Sequence, residues 1–169
     1  MRWRLLSALL GWGVACAVQP ALDSQQPSTL EEAAALAAEG PPRASIHLVI
    51  RAAQARERGE LRTAQELASR ALRIDGRNPY AYLVLGQVAA ESDEEDAALR
   101  YLEQAQLLFS LTPTGQPRWI ARVLRVEAEL RARAGEADEA ALLRRQADSL
   151  DAGGGRPGSF LRPVVESQP

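Results

Sequence analysis

A chain of 169 residues fits one modest domain with extensions: enough to bury a core, too little for several independent domains. Aromatic residues make up only 5% while alanine, leucine, arginine and glutamate dominate, which favours helices over strands rich in β-branched and aromatic side chains. A formal charge of −2 speaks against a nucleic-acid surface, although all 20 basic residues are arginine. One cysteine excludes an internal disulfide, and one histidine leaves little for a zinc site or a histidine-based triad.

The opening "MRWRLLSALLGWGVACAVQP" has the order of an export signal: Arg2 and Arg4, then an apolar stretch from Leu5 to Val14, then small residues. The uncharged run through Val18 is about 14 residues, short of the roughly 20 that a membrane-spanning helix needs. Gly13-Val14-Ala15-Cys16 resembles the box that ends bacterial lipoprotein signals, except that the family usually has leucine where Gly13 stands. The resemblance implies a signal over 1–15 and a lipidated Cys16, with no further cofactor. With Ala17 next, it also implies an outer-membrane anchor facing the periplasm. Cleavage after Ala15-Cys16-Ala17, the competing outcome, would release a soluble periplasmic protein. A diacylglycerol and an amide-linked acyl chain would hold firmly, at about 0.8 kcal/mol for each buried methylene.

Residues 16–44 read as a tether rich in Pro, Gln and Ser, with one short Ala-rich helix. Ser28 stands three residues before Glu31, a capping-box spacing, and Gly40-Pro41-Pro42 would stop the helix after Glu39.

From Ser45 to Leu150 apolar residues return at helical spacing, and six helices fit as three antiparallel pairs. Breaks near Gly59, near Asp93 and at Gly135 divide each pair; breaks at Gly76-Arg77-Asn78-Pro79 and Leu111 to Pro117 separate the pairs. Registering the first pair on the second sets Leu48 on Tyr82, Ala64 on Ala98, Ala68 on Leu102 and Ala71 on Ala105, a period of 34. The segments are 45–78, 79–112 and 121–150, the third aligned through Leu124, Ala128, Gly135, Ala140 and Ala147 after an eight-residue insertion that includes "LTPTGQP".

Thirty-four is the tetratricopeptide period. Tyr82-x2-Leu85-Gly86-x2-Ala89 and Ala98-x3-Leu102-x2-Ala105 resemble that family's signature, with Ser110 where its closing proline would stand. The expected fold is all-α: antiparallel helix pairs stacked as a short solenoid of about three repeats, in which small residues such as Gly86, Ala98 and Ala105 allow helix backbones to approach. Tyr82, Leu85, Leu102, Gly135 and Ala140 complete the expected repeat-packing set.

No catalytic constellation emerges. The glycines at 153–155 lack the Lys-Ser/Thr of a phosphate loop. His47 has no cysteine or second histidine beside it. The acidic run Asp93 to Asp96 suits a helix N-terminus better than a calcium loop. Residues 151–169, with three consecutive glycines and three prolines, read as a disordered tail. The chain is expected to be neither an enzyme nor a metal protein.

The family resemblance implies a concave groove that binds a protein partner. Carried over, its positions are Ile46, Val49, Ala53 and Arg56; Tyr80, Leu83, Gln87 and Ala90; and Arg122, Arg125, Glu129 and Arg133. The Lys and Asn set of the chaperone-tail carboxylate clamp is missing. The whole arrangement resembles small envelope lipoproteins of Gram-negative bacteria, one group of which activates a penicillin-binding protein; another, the pilotins, escorts a pilus secretin. Replacing the cysteine, Cys16→Ala, is expected to move the protein from the membrane to the soluble fraction of a cell lysate; unchanged fractionation would rule out the lipid anchor.

Overall fold

Three turns of one design divide the chain into helix pairs. In a computed structural model, which describes residues 26–112 and 116–152, a residue with positive φ (Gly59 at 76°, Asp93 at 57°, Gly135 at 85°) ends the first helix of each pair. A glutamate follows (Glu60, Glu94, Glu136), with φ between −82° and −92° and ψ between 61° and 65°. Its N–H bonds back over five residues at 2.9 Å, to the carbonyls of Ala55, Ala89 and Arg131. This closes orphan carbonyls at each helix end, and the left-handed residue is the device that permits it.

The pairs so formed are α2 (Pro41–Glu57) with α3 (Leu61–Ile74), α4 (Pro79–Glu91) with α5 (Glu95–Ser110), and α6 (Pro117–Arg133) with α7 (Ala137–Asp151); a short α1 (Leu30–Leu36) precedes them. The fold is an all-α helical repeat, with seven helices and no strand among the described residues. Proline opens the first helix of every pair, where its missing N–H costs nothing and its fixed φ suits a helical turn. The expected signal at 1–15, Cys16 and the beginning of the tether lie outside the described residues, as does the tail from residue 153 onward.

Boundaries differ from expectation in four places. The repeat domain begins at Pro41 rather than Ser45, because Gly40-Pro41-Pro42 starts a helix instead of merely stopping one. The third pair begins at Pro117 rather than Ala121. In α1 the N-cap is Thr29, whose Oγ1 accepts the Glu32 N–H at 3.1 Å, while the N–H and hydroxyl of Ser28 both donate to the Glu32 carboxylate. Those two Ser28 bonds hold the Glu32 carboxyl below its ordinary pKa. The helix ends at Leu36, three residues before Glu39.

Corresponding alanines of the three second helices are fully buried: Ala64, Ala98 and Ala140, then Ala71, Ala105 and Ala147. Gly86 shows why small residues are needed at such positions. A Cβ there would lie 2.8 Å from Leu102 Cδ2 and 2.9 Å from Leu102 Cγ, closer than carbon atoms pack. Leu85, Leu102 and Phe109 are buried beside it, and Tyr82 is half-buried, its hydroxyl 3.4 Å from the Gly76 carbonyl. Gly135 departs from the packing role expected of it. It is exposed with open space around it, and its contribution is the turn.

The seam between the first two pairs contains a buried polar group. Asn78 Oδ1 caps α4 by accepting the N–H groups of Tyr80 at 3.0 Å and Ala81 at 3.3 Å. Its Nδ2 donates to Ser45 Oγ at 2.8 Å, which in turn donates to the Ala71 carbonyl at 2.9 Å. Both side chains are out of water, at 1% and 0% exposure. Asn78→Ala removes the cap and the donor to the buried Ser45 oxygen, so urea unfolding should show a loss of about 2 to 3 kcal/mol; a loss below about 0.5 kcal/mol would contradict the network's role.

Candidate functional site

The first helices of the pairs pack directly on one another, α2 on α4 and α4 on α6, whereas the second helices make no comparable contact across pairs. An array curves toward the side on which its elements lie closest, so α2, α4 and α6 form the inner face and α3, α5 and α7 the outer one. This is the face that the groove positions were expected to line.

The structure separates those positions into four groups. Ile46, Val49, Tyr80, Leu83 and Ala90 are buried, which corrects their reading as open groove: they belong to the same core as Ala33 and Ala34 of α1. Ala53, Arg56 and Gln87 are half-buried, and Arg122, Glu129 and Arg133 are exposed. Arg125 is turned outward. It pairs with Asp148 at 3.3 Å and with Asp151, both on α7, and so leaves the inner face, a second correction.

Two polar links tie the C-terminal ends of the inner helices together. Arg56 on α2 reaches Glu91 on α4 at 2.8 Å. Arg133 on α6 donates to the Ala90 carbonyl at 2.8 Å and lies 3.6 Å from Asp93. Both arginines find partners within the chain, although Arg56 Nε is buried without an acceptor.

The N-terminal part of the same face is aromatic. Tyr80 meets Phe109 edge-on with ring centroids 5.2 Å apart and Trp119 edge-on at 4.8 Å, while Phe109 and Trp119 stack at 5.8 Å. The Tyr80 hydroxyl donates to Gln116 Oε1 at 3.0 Å. Burial pushes its pKa up from 10.0 to about 12.

Across this face runs the chain's own N-terminal arm. Trp119 Nε1 donates to the Pro27 carbonyl at 2.6 Å, and the Arg122 guanidinium donates to the Ser28 carbonyl at 3.0 Å. Arg122 also lies over the Trp119 ring, 4.3 Å from its centroid, so the indole fixes both donors. From Ser28 the arm passes to α1, which packs on α2, and Arg43 closes the connection by donating to the Ala37 carbonyl at 2.9 Å. Beside it remains a cleft of about 290 Å³, where Leu30 and Glu31 face Ile50, Ala53, Gln54 and Glu57 of α2, with Arg122 at its rim.

Comparison with protein-family models, curated proteins and solved structures returned no match. The functional reading therefore rests on this face and on the motifs of the chain. Among the described residues no group of three or more His, Cys, Asp or Glu side chains is placed to hold a metal ion, and no helix is long and apolar enough to cross a membrane. His47 is exposed on α2, and Asp93 to Asp96 are exposed around the start of α5.

Sequence reasoning did not find Trp119 or the carbonyls of Pro27 and Ser28. A tryptophan in the first turn of a helix was a signal, since a buried indole N–H calls for an acceptor. Main-chain carbonyls carry no signal at all.

The raised pKa of Tyr80 sets a pH dependence. The fold favours the neutral phenol, so stability begins to fall above pH 10, where the unfolded chain ionises, and keeps falling until about pH 12. Urea midpoints measured across that interval should drop more steeply in the wild type than in Tyr80→Phe; parallel curves would show that Tyr80 is not the group responsible.

Proposed function

We propose that the protein is a non-enzymatic adaptor of the bacterial cell envelope, anchored by a lipid on Cys16, whose helical-repeat domain binds a segment of a protein partner on its inner face. The observation that carries this reading is the donor pair of Trp119 Nε1 and Arg122, which is aimed at the successive main-chain carbonyls of Pro27 and Ser28, where the segment bends. Peptides present carbonyls whatever their side chains, and flanking clefts then supply selectivity. The space beside Leu30 is such a cleft, apolar at Ile50 and Ala53 and polar at Gln54 and Glu57.

Support for the location comes from the order of Arg2, Arg4, the apolar stretch and Cys16. Support for the partner class comes from the resemblance to tetratricopeptide envelope lipoproteins that activate a penicillin-binding protein, and a peptidoglycan synthase is the partner we propose. The repeat domain would hold that enzyme in place or in an active state without touching its chemistry.

In-cell photo-crosslinking tests the reading. Tyr80 is buried, so the probe belongs at Gln87, half-buried on α4, with the exposed Glu103 of α5 as the outer-face control. A synthase captured from Gln87 and not from Glu103 is the expected result. Capture of a pilus secretin instead would replace the synthase with a pilotin-like escort role, and the absence of any adduct selective for Gln87 would dismiss the inner face as the binding site.

A further inference from the structure

The arm is held more like a ligand than like a structural element. Helix α1 has only seven residues, too few to persist in water alone, so its order depends on what it touches. Its grip is small. Ala33 and Ala34 are its buried side chains, Leu36 is 57% exposed, and the cleft beside Leu30 is left unfilled.

Two bonds from α6 reach the arm at main-chain carbonyls, those of Pro27 and Ser28. Any segment that bends in the same way can offer the same pair, whatever its side chains. Hydrogen bonds of this kind contribute about 1 kcal/mol each, which places the arm among the parts of the molecule that open most readily.

We propose that Pro27–Leu36 is an internal competitor for the peptide site, displaced when a partner segment of the same chemistry binds. That chemistry is a bent stretch presenting two successive carbonyls to Trp119 and Arg122, followed by a helical turn whose inward residues are small, as Ala33 and Ala34 are. The inference rests on the reading of the inner face as a peptide site. Residues 37–40, the short link from α1 to α2, hold the arm at an effective concentration in the millimolar range. A weak occupant therefore suffices to screen the face from casual partners, and a better-fitting segment replaces it.

The test uses the full chain and a fluorescein-labelled synthetic peptide of residues 26–37. Binding is followed by anisotropy in the wild type, in the double variant Ala33→Glu with Ala34→Glu, which dislodges the arm, and in a deletion of residues 26–36, which removes it. Circular dichroism checks that helicity is kept, and two differently built variants ensure that failure of one to fold leaves the other to decide. The open variants are expected to bind the peptide at least about 10-fold more tightly than the wild type. Adding Trp119→Phe, which keeps a ring but lacks the N–H donor, should weaken that binding several-fold. Equal affinity in wild type and open variants, or no binding to folded open variants, would overturn the proposal. Crosslinking from Gln87 in the same strains separates the two ideas. Equal partner capture with and without the arm would reject the competitor while leaving the peptide site standing, and loss of capture everywhere would reject the site itself.

Discussion

The amide of Asn78 is the point from which the array is assembled. Helix α4 is the central element, in contact with α2, α3, α5 and α6, and its N-terminus is buried where water cannot serve its free N–H groups. Pro79 has no N–H to satisfy, and Asn78 Oδ1 accepts those of the next two residues. The other end of the same amide reaches Ser45 on α2, and through it the last turn of α3 at Ala71. One side chain thus fixes where α4 starts and how it sits on the pair before it. Because both polar groups are fully enclosed, sliding α4 by one turn would leave several of them unpaired.

With α4 placed, the aromatic trio of Tyr80, Phe109 and Trp119 carries the constraint into the third pair. The connection from α5 to α6, 111–116, is longer than that from α3 to α4, 75–78, and packing of three rings joins the second and third pairs. The rotation of α6 that buries Trp119 also sets the direction of its indole N–H and stacks Arg122 on the ring. The core and the donor pair are therefore two sides of one residue, and the inner face inherits its geometry from the seam.

Much of this organisation was legible in the chain. Gly59, Asp93 and Gly135 announce the three turns, and the alanines that recur 34 and then 42 residues on, at 64, 98 and 140, are the buried contacts of the second helices. Local rules govern both features, so local patterns reveal them. The inner face was legible only in part. Periodicity tells which side of a helix is apolar, but not whether a partner or the chain's own arm covers it, and so Ile46, Val49, Leu83 and Ala90 read equally well as groove or core. The shift from Ser28 to Thr29 has a similar cause: each hydroxyl has a glutamate three residues on, Glu31 and Glu32, and only the entry path of the arm chooses between them. Arg125 was misplaced because a helical wheel does not show that Asp148 and Asp151 of α7 come within reach.

The bond between Trp119 and Pro27 spans 92 residues of chain, whereas the turns and caps join near neighbours. Synthesis runs from the N-terminus, so the arm is made before the helix pairs and its acceptor carbonyl waits for a donor that comes almost a hundred residues later. Helix pairs built from local contacts can form as they emerge, and closing the long loop adds a cost that grows only with the logarithm of its length. The first of the described segments to be made is thus among the last to find its place. A docked arm is a sign that the third pair has been reached and correctly turned.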